Sequence, residues 1–320
     1  MSGPHVPNAP QLTHPAIPGL RIVGGGADVS AVRFELAAAV AGLAGAAGVA
    51  GVAGVPGVTG GAAAAGDALV MIGPDPAAAA EAVSAGAAVL CLPGPDPGAT
   101  PDPALLVEAS PDSAGPGFVV CSSRLRHTDA GQQLAAAGSG RLGTLISAYV
   151  AVRAPRLRSP SAAVLLWAAM DLVAGLTDAP LARVHAVSGD GLITAICRFA
   201  DEMVMTVDVA AVTGVTSDSA AGGLGVGFEA EAELVGSDGI LRVEPGRASV
   251  RVTGADGAED LPFGTSPVRG MLAEFLAAVT DPGQRGALLA RQRRTLSLVT
   301  AVGAADPARM GRERDRCGGA

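Results

Sequence analysis

Aromatic residues are scarce in this chain of 320 residues: one Trp, one Tyr and six Phe make up 2% of it. Any core must therefore be aliphatic, built mostly from Ala, Val and Leu. The four cysteines, Cys91, Cys121, Cys197 and Cys317, lie far apart and show no C-x-x-C spacing. That excludes a sequence-legible zinc site or dithiol pair and fits a reducing, cytoplasmic setting. Net positive charge is also missing. At −8 the chain offers no electrostatic case for a nucleic acid or an anionic membrane surface as partner. The start, Met1-Ser2-Gly3-Pro4-His5, lacks the basic and apolar regions of a signal peptide. No charged residue occurs from Leu36 to Gly66. The run is long enough for a bilayer. It is rich in Gly and Ala, is interrupted by Pro56 and lacks aromatic anchors, so buried packing is the expectation.

What is present reads as two domains, at roughly 150 residues each. Residues 1–18 form a Pro-rich leader, expected to be disordered, and 305–320 a charged tail. Between them, 19–122 alternates strand and helix signals. Gly19 to Val23, Asp67 to Gly73, Ala87 to Leu92 and Gly115 to Cys121 are short apolar strands, with a helix over Ala77 to Ala85 stopped by Gly86. Strands apolar on both faces belong to a sheet covered on both sides, and the alternation predicts a doubly wound α/β domain. Residues 123–304 change character. After a helix over Ala162 to Leu176, strands separated by short turns run from Val184 to Val243, so an open, mostly antiparallel sheet is expected. In Phe228 to Val243, Glu229, Glu231 and Glu233 alternate with Ala230, Ala232 and Leu234 before the turn Ser237-Asp238-Gly239. That is a half-buried hairpin. Met271 to Val279 and Leu288 to Val302 read as closing amphipathic helices.

The segment Glu233-Leu234-Val235-Gly236-Ser237-Asp238-Gly239-Ile240-Leu241-Arg242-Val243 resembles a substrate-domain hairpin of the oxidoreductase family of glucose–fructose oxidoreductase, inositol dehydrogenase and MocA (Gfo/Idh/MocA). Further segments match in order: Asp67 to Pro74, Gly138 to Gly143, Trp167 to Leu176, Cys197 to Asp208 and Met271 to Val279. The resemblance covers about Leu20 to Ala304. It implies a Rossmann-like NAD(P)-binding domain followed by a substrate and oligomerisation domain. It also implies NAD or NADP as cofactor, a sugar, cyclitol or related polyol as substrate, and a homo- or hetero-oligomer joined through the C-terminal sheet. Cofactor contacts would fall on Gly24, Gly25, Gly26, Gly73, Pro74 and Pro93, and small-molecule contacts on Arg124, Arg126 and Asp171.

The chain departs from that family where chemistry is done. The phosphate loop has Gly24 and Gly26 but Val29 at its third glycine position, with Asp28 close by; it is equally readable as a plain strand-to-helix turn. No Asp or Glu stands between Glu35 and Asp67 to hold a ribose. The family's catalytic lysine maps to Leu92 in Cys91-Leu92-Pro93, and its upstream Asp and His map to Val164 and Ala168. A further histidine maps to Ala78. None of these side chains moves a proton. The expectation is an impaired or inactive dehydrogenase that acts as a binding or partner subunit. The alternative is an active NAD(P)-dependent oxidoreductase with unusual groups. Cys91 is expected in the core, His185 as structural, and Arg291, Arg293 and Arg294 as a solvated or intersubunit patch.

Overall fold

The computed structural model describes residues 20–23, 65, 67–72, 76–92, 117–121, 124–128, 131–132, 134, 142–155, 162–189, 191–212, 229–243, 249–255, 257–262 and 267–305. The expected leader, the phosphate loop Gly24 to Gly26, the uncharged run from Leu36 apart from Ala65, and Gly73, Pro74, Pro93 and the tail from 306 lie outside them.

The first sheet holds β1 (Leu20–Val23), β2 (Ala68–Ile72), β3 (Ala88–Leu92) and β4 (Phe118–Cys121), all parallel and in that order. Every residue of β3 and β4 is buried, as a sheet covered on both faces requires. On one face Leu69, Val89 and Val119 meet Ala79, Ala82 and Val83 of helix α1 (Pro76–Ser84). That helix opens on proline, whose missing N–H costs nothing in the first turn, and stops at Gly86, where φ is 88°. The other face, with Val70, Leu90 and Phe118, is covered from the far end of the chain. Val268, Met271, Leu272 and Phe275 of the helix Pro267–Thr280 and Leu288 of the helix Pro282–Ala305 pack on it. The Phe118 and Phe275 rings tilt at 56° with centroids 6.1 Å apart. Asp281 caps the last helix by accepting from the Gly283 N–H at 2.7 Å.

The second sheet has eight strands. They are β5 (Leu145–Pro155), β6 (Leu181–Gly189), β7 (Leu192–Phe199), β8 (Val204–Val212), β9 (Glu229–Gly236), β10 (Gly239–Val243), β11 (Ser249–Gly254) and β12 (Gly257–Pro262). Their spatial order is β12-β11-β10-β9-β5-β8-β7-β6, and only β5 with β8 is parallel. One face is apolar, with Val150, Ala195, Val207, Leu234 and Leu241 buried, and the helix Ala162–Val173 and the last helix cover its β5 to β8 part. Among the described residues no helix is long and apolar enough to cross a membrane.

The alternating run behaves as its period dictates: Ala232 and Leu234 are buried while Glu231 and Glu233 stand on the open face. The turn Ser237-Asp238 docks on the segment Leu142 to Thr144. Ser237 and Asp238 donate their N–H groups to Thr144 O and Leu142 O, both at 3.0 Å. Two stretches of family-like sequence thus lie side by side. Gly236 is obligatory at the join, because a Cβ there would overlap Leu142 O. The β11–β12 hairpin is an element the sequence reading does not contain.

Candidate functional site

Parallel sheets bind ligands in the crevice beyond the C-terminal ends of their strands. At those ends the chain presents Met71 and Ile72, Cys91 and Leu92, and Cys121. Leu92, at the expected lysine position, is buried in the cluster that also holds Phe118 and Phe275. Val164 and Ala168 are buried on the helix Ala162–Val173, now α3. Ala78 is an exposed position on α1. None of the four offers a titratable group.

The polar chemistry lies one step away. After β4 the chain makes one turn of helix, α2 (Arg124–His127). Arg124 belongs to that turn, and its side chain lies outside the described atoms. Arg126 and Asp171, expected to contact a small molecule, are brought together, but as partners of each other. Arg126 donates from Nε to Asp171 Oδ2 at 3.2 Å. Its two terminal nitrogens grip Glu274 of α4 (Pro267–Thr280), one of them at 2.6 Å from Oε1. Asp171 also accepts from Arg291 Nε of α5 (Pro282–Ala305) at 3.4 Å, and Arg291 Nη2 donates to the Asp171 carbonyl at 2.6 Å. His127 Nε2 stands 3.4 Å from Glu274 Oε2. Gly175 leaves room for this, since a Cβ there would meet Arg291 Nη1 at 2.6 Å.

Two guanidinium groups therefore face two carboxylates at the meeting point of α2, α3, α4 and α5. Asp171 is 3% exposed, so each charge depends on its partners for the solvation it has lost. Burial pushes the Glu274 carboxyl up, but hydrogen bonds from His127 and Arg126 and the Arg126 charge outweigh it and hold the group down at about 2. Burial lowers the Arg126 pKa, yet Asp171 and Glu274 raise it further still. Burial depresses that of Arg291. The arrangement clasps four helices. Glu274, held ionised by its partners, is a poor general acid.

A second device closes the sheet edge. Among the described residues β4 is the last strand of its sheet, and side chains bond part of its outer backbone. Gln292 Oε1 accepts from the Cys121 N–H at 2.7 Å, Gln292 Nε2 donates to Val119 O at 2.8 Å, and Trp167 Nε1 donates to Cys121 O at 3.1 Å. The amide of Gln292 thus bonds β4 as the backbone of a neighbouring strand would.

The sequence reading missed Glu274, Arg291 and Gln292 in these roles. For Gln292 a signal existed: on α5 it shares one helical face with Leu288, Thr295 and Val299, all buried. The basic run on α5 is corrected. Arg291 joins the clasp, and Arg294 lies over the Phe199 ring at 5.9 Å and donates to Ala179 O at 2.8 Å. Of the three only Arg293 is exposed. Cys91 is buried as expected, and His185 is exposed on the edge strand β6.

No protein-family model matches the chain. No curated protein matches it either. Solved structures do. UDP-N-acetylglucosamine 3-dehydrogenase from Acidithiobacillus ferrooxidans superposes with a TM-score of 0.60 at 17% identity, over 91% of this chain and 98% of that one. An oxidoreductase from Agrobacterium radiobacter, solved with NAD+, L-tartaric acid and magnesium, gives 0.52 at 14% identity, over 74% and 77%. Levoglucosan dehydrogenase, solved with NADH and levoglucosan, gives 0.54 at 15% identity, over 74% and 78%. The chain has this dehydrogenase fold. The expected α/β architecture, a Rossmann-like sheet followed by an open mixed sheet, is confirmed.

Proposed function

We propose that this chain is a Gfo/Idh/MocA-type protein without dehydrogenase activity, working as a binding or partner subunit. The observation that carries the reading is Leu92, a buried leucine at the strand end where the resemblance sets the proton donor. A shifted alignment does not rescue the lysine, because all 22 basic Lys and Arg positions of the chain are arginine. The rival, an active NAD(P)-dependent oxidoreductase, draws support from neighbours solved with NAD+ and NADH. Hydride transfer belongs to the nicotinamide, and the protein's part is to position it. The described residues at the strand ends bring no polar side chain suited to that task. The loop positions that would hold the phosphates, Gly24, Gly25 and Gly26, carry Val29 and Asp28 beside them in sequence.

NAD(H) and NADP(H) are expected to bind with dissociation constants weaker than ~1 μM, about −8 kcal/mol. Calorimetric titration of the full chain measures this, and a tighter constant returns the protein to the oxidoreductases.

The partner in this reading is a second copy of the chain, met through the open face of the large sheet. On that face Val187, Leu192, Ile196 and Val204 are exposed at one end. At the other, Arg242 pairs with Glu233 and Arg251 with Asp260. An apolar patch bordered by Arg183, His185 and Arg198, beside a charge-balanced half, can meet its own copy across a two-fold axis. Light scattering at micromolar protein should give twice the mass of the chain, and Ile196→Glu should give the single mass. A monomeric wild type would refute the interface.

A further inference from the structure

We propose that the outer edge of β6 binds an added strand, an extended acidic segment of a partner protein. An open sheet edge invites pairing, and proteins blunt their edges by shortness, charge, proline or side-chain cover. Among the described residues four strands end the two sheets, β1, β4, β12 and β6. β1 is four residues long. β4 is partly bonded by Gln292 and Trp167. β12 carries Glu259 and Asp260 and ends on Pro262. β6 runs for nine residues without proline, lysine or acid. Its one irregularity, between Leu181 and Arg183, lies at its start.

Two backbone bonds show which groups of β6 point outwards. Phe199 donates its N–H to Met203 O at 2.9 Å, across the turn to β8, and Ala200 donates to Pro180 O at 3.0 Å, towards the β6 side. Bonding direction alternates along a strand, so the even-numbered residues of β7 bond to β6. Their register partners are Arg183, His185 and Val187. Val184 and Ala186, which lie between, therefore aim N–H and C=O away from the sheet, where the described residues place no further strand.

The side chains say what would fit. Val184 and Ala186 turn to the apolar face, packed against the core that α5 helps to cover. Arg183, His185 and Val187 stand exposed on the open face. Arg198, in register with Arg183, is paired with Glu202, whereas Arg183 has no carboxylate partner among the described residues. An antiparallel strand that suits this edge alternates apolar residues, opposite Val184 and Ala186, with acids opposite His185 and Arg183. Such facing pairs of opposite charge stabilise a sheet. A second copy fits less well, because its own β6 brings no acid. The added strand lies in the plane of the sheet, so this site goes beyond the open-face contact between copies. It rests on the reading of the chain as a binding subunit.

The test uses the full-length protein and a fluorophore-labelled heptapeptide, Ser-Val-Thr-Val-Glu-Val-Glu. Its carboxylates fall opposite His185 and Arg183 when it runs antiparallel to β6. Fluorescence anisotropy should show saturable binding with a dissociation constant below ~1 mM. In the wild type, peptide should slow amide exchange at Val184 and Ala186 and change His185 and Val187 little. Ala186→Pro should weaken binding about tenfold or more, since an edge strand tolerates proline where the nitrogen faces outwards but loses the donor there. Arg183→Glu should weaken binding about fivefold, the span of a facing charge pair, and should bind a lysine-for-glutamate peptide better than the wild type does. No saturation by ~1 mM, or no slowing of exchange at Val184 and Ala186, overturns the site. A doubled mass without peptide that Ala186→Pro abolishes also overturns it, because β6 would then meet its own copy. The exchange measurement uses wild-type protein, so a poorly folding variant does not decide the outcome. Dehydrogenase turnover would remove the binding-subunit reading and leave the edge standing, whereas an inactive protein that ignores the peptide removes the edge alone.

Discussion

Asp171→Asn should lower the unfolding free energy by about 3–5 kcal/mol, the cost of breaking a buried charge pair by removing one side. Arg126 and Arg291 both direct a guanidinium nitrogen at this carboxylate. The amide keeps the shape and removes the charge that both cations need. Against a total stability of about 5–15 kcal/mol, that is a large fraction of what holds the fold. Arg251→Ala is the control. Its partner Asp260 is exposed, with 44% and 47% of the two side chains accessible, and such pairs contribute about 0–1 kcal/mol. Urea denaturation of the two variants beside the wild type settles the comparison, and equal, small losses would show that the clasp is ornamental. The same cluster sets an acid limit. The folded Glu274 carboxyl sits at about 2 against an ordinary 4.5. Its contribution is complete above the ordinary value and disappears as pH falls from there towards 2.

No formation of NAD(P)H above background is expected from wild-type protein offered a panel of sugars and cyclitols, and Leu92→Lys should not restore it. General acid–base groups contribute typically 10²–10⁴-fold, and Val164 and Ala168 leave the rest of that set empty. The new ammonium would be the only lysine of the chain. It would sit among Phe118, Leu272 and Phe275, where burial lowers its pKa and charging it costs stability. Robust turnover by the wild type would mean that another group serves. Alanine substitution at Arg124, Arg126, His127 and Asp171 would then be the next step, read against the stability losses expected at the clasp.

How much of this was legible in sequence depended on how local the signal was. β2 and β3 announce themselves because both of their faces are buried, so the whole run is apolar. The β9–β10 hairpin announces itself because one face is, so its residues alternate. The β11–β12 hairpin escaped because its second strand lies exposed at the sheet edge. Gly257 to Asp260 bury nothing, and a strand that buries nothing leaves no periodicity to read. The clasp escaped for another reason. Arg126 and Asp171 lie 45 residues apart, and Arg126 and Glu274 148. No spacing rule connects them, and each alone reads as a surface charge. The placement of α4 and α5 on the first sheet was hidden likewise. Their amphipathic pattern shows that they cover something, not which sheet they cover.

Gln292 and the apolar face of α4 give the chain a particular order of assembly. During synthesis the four strands of the first sheet emerge long before residues 267–305, which cover one of its faces and satisfy its β4 edge. Until those helices are free of the ribosome, Val70, Leu90 and Phe118 lack their cover and the Cys121 N–H and Val119 carbonyl lack the Gln292 amide. The nascent first domain is therefore a candidate for chaperone capture while the large sheet is still being made, and its completion waits for residues 267–305 rather than for the end of its own segment.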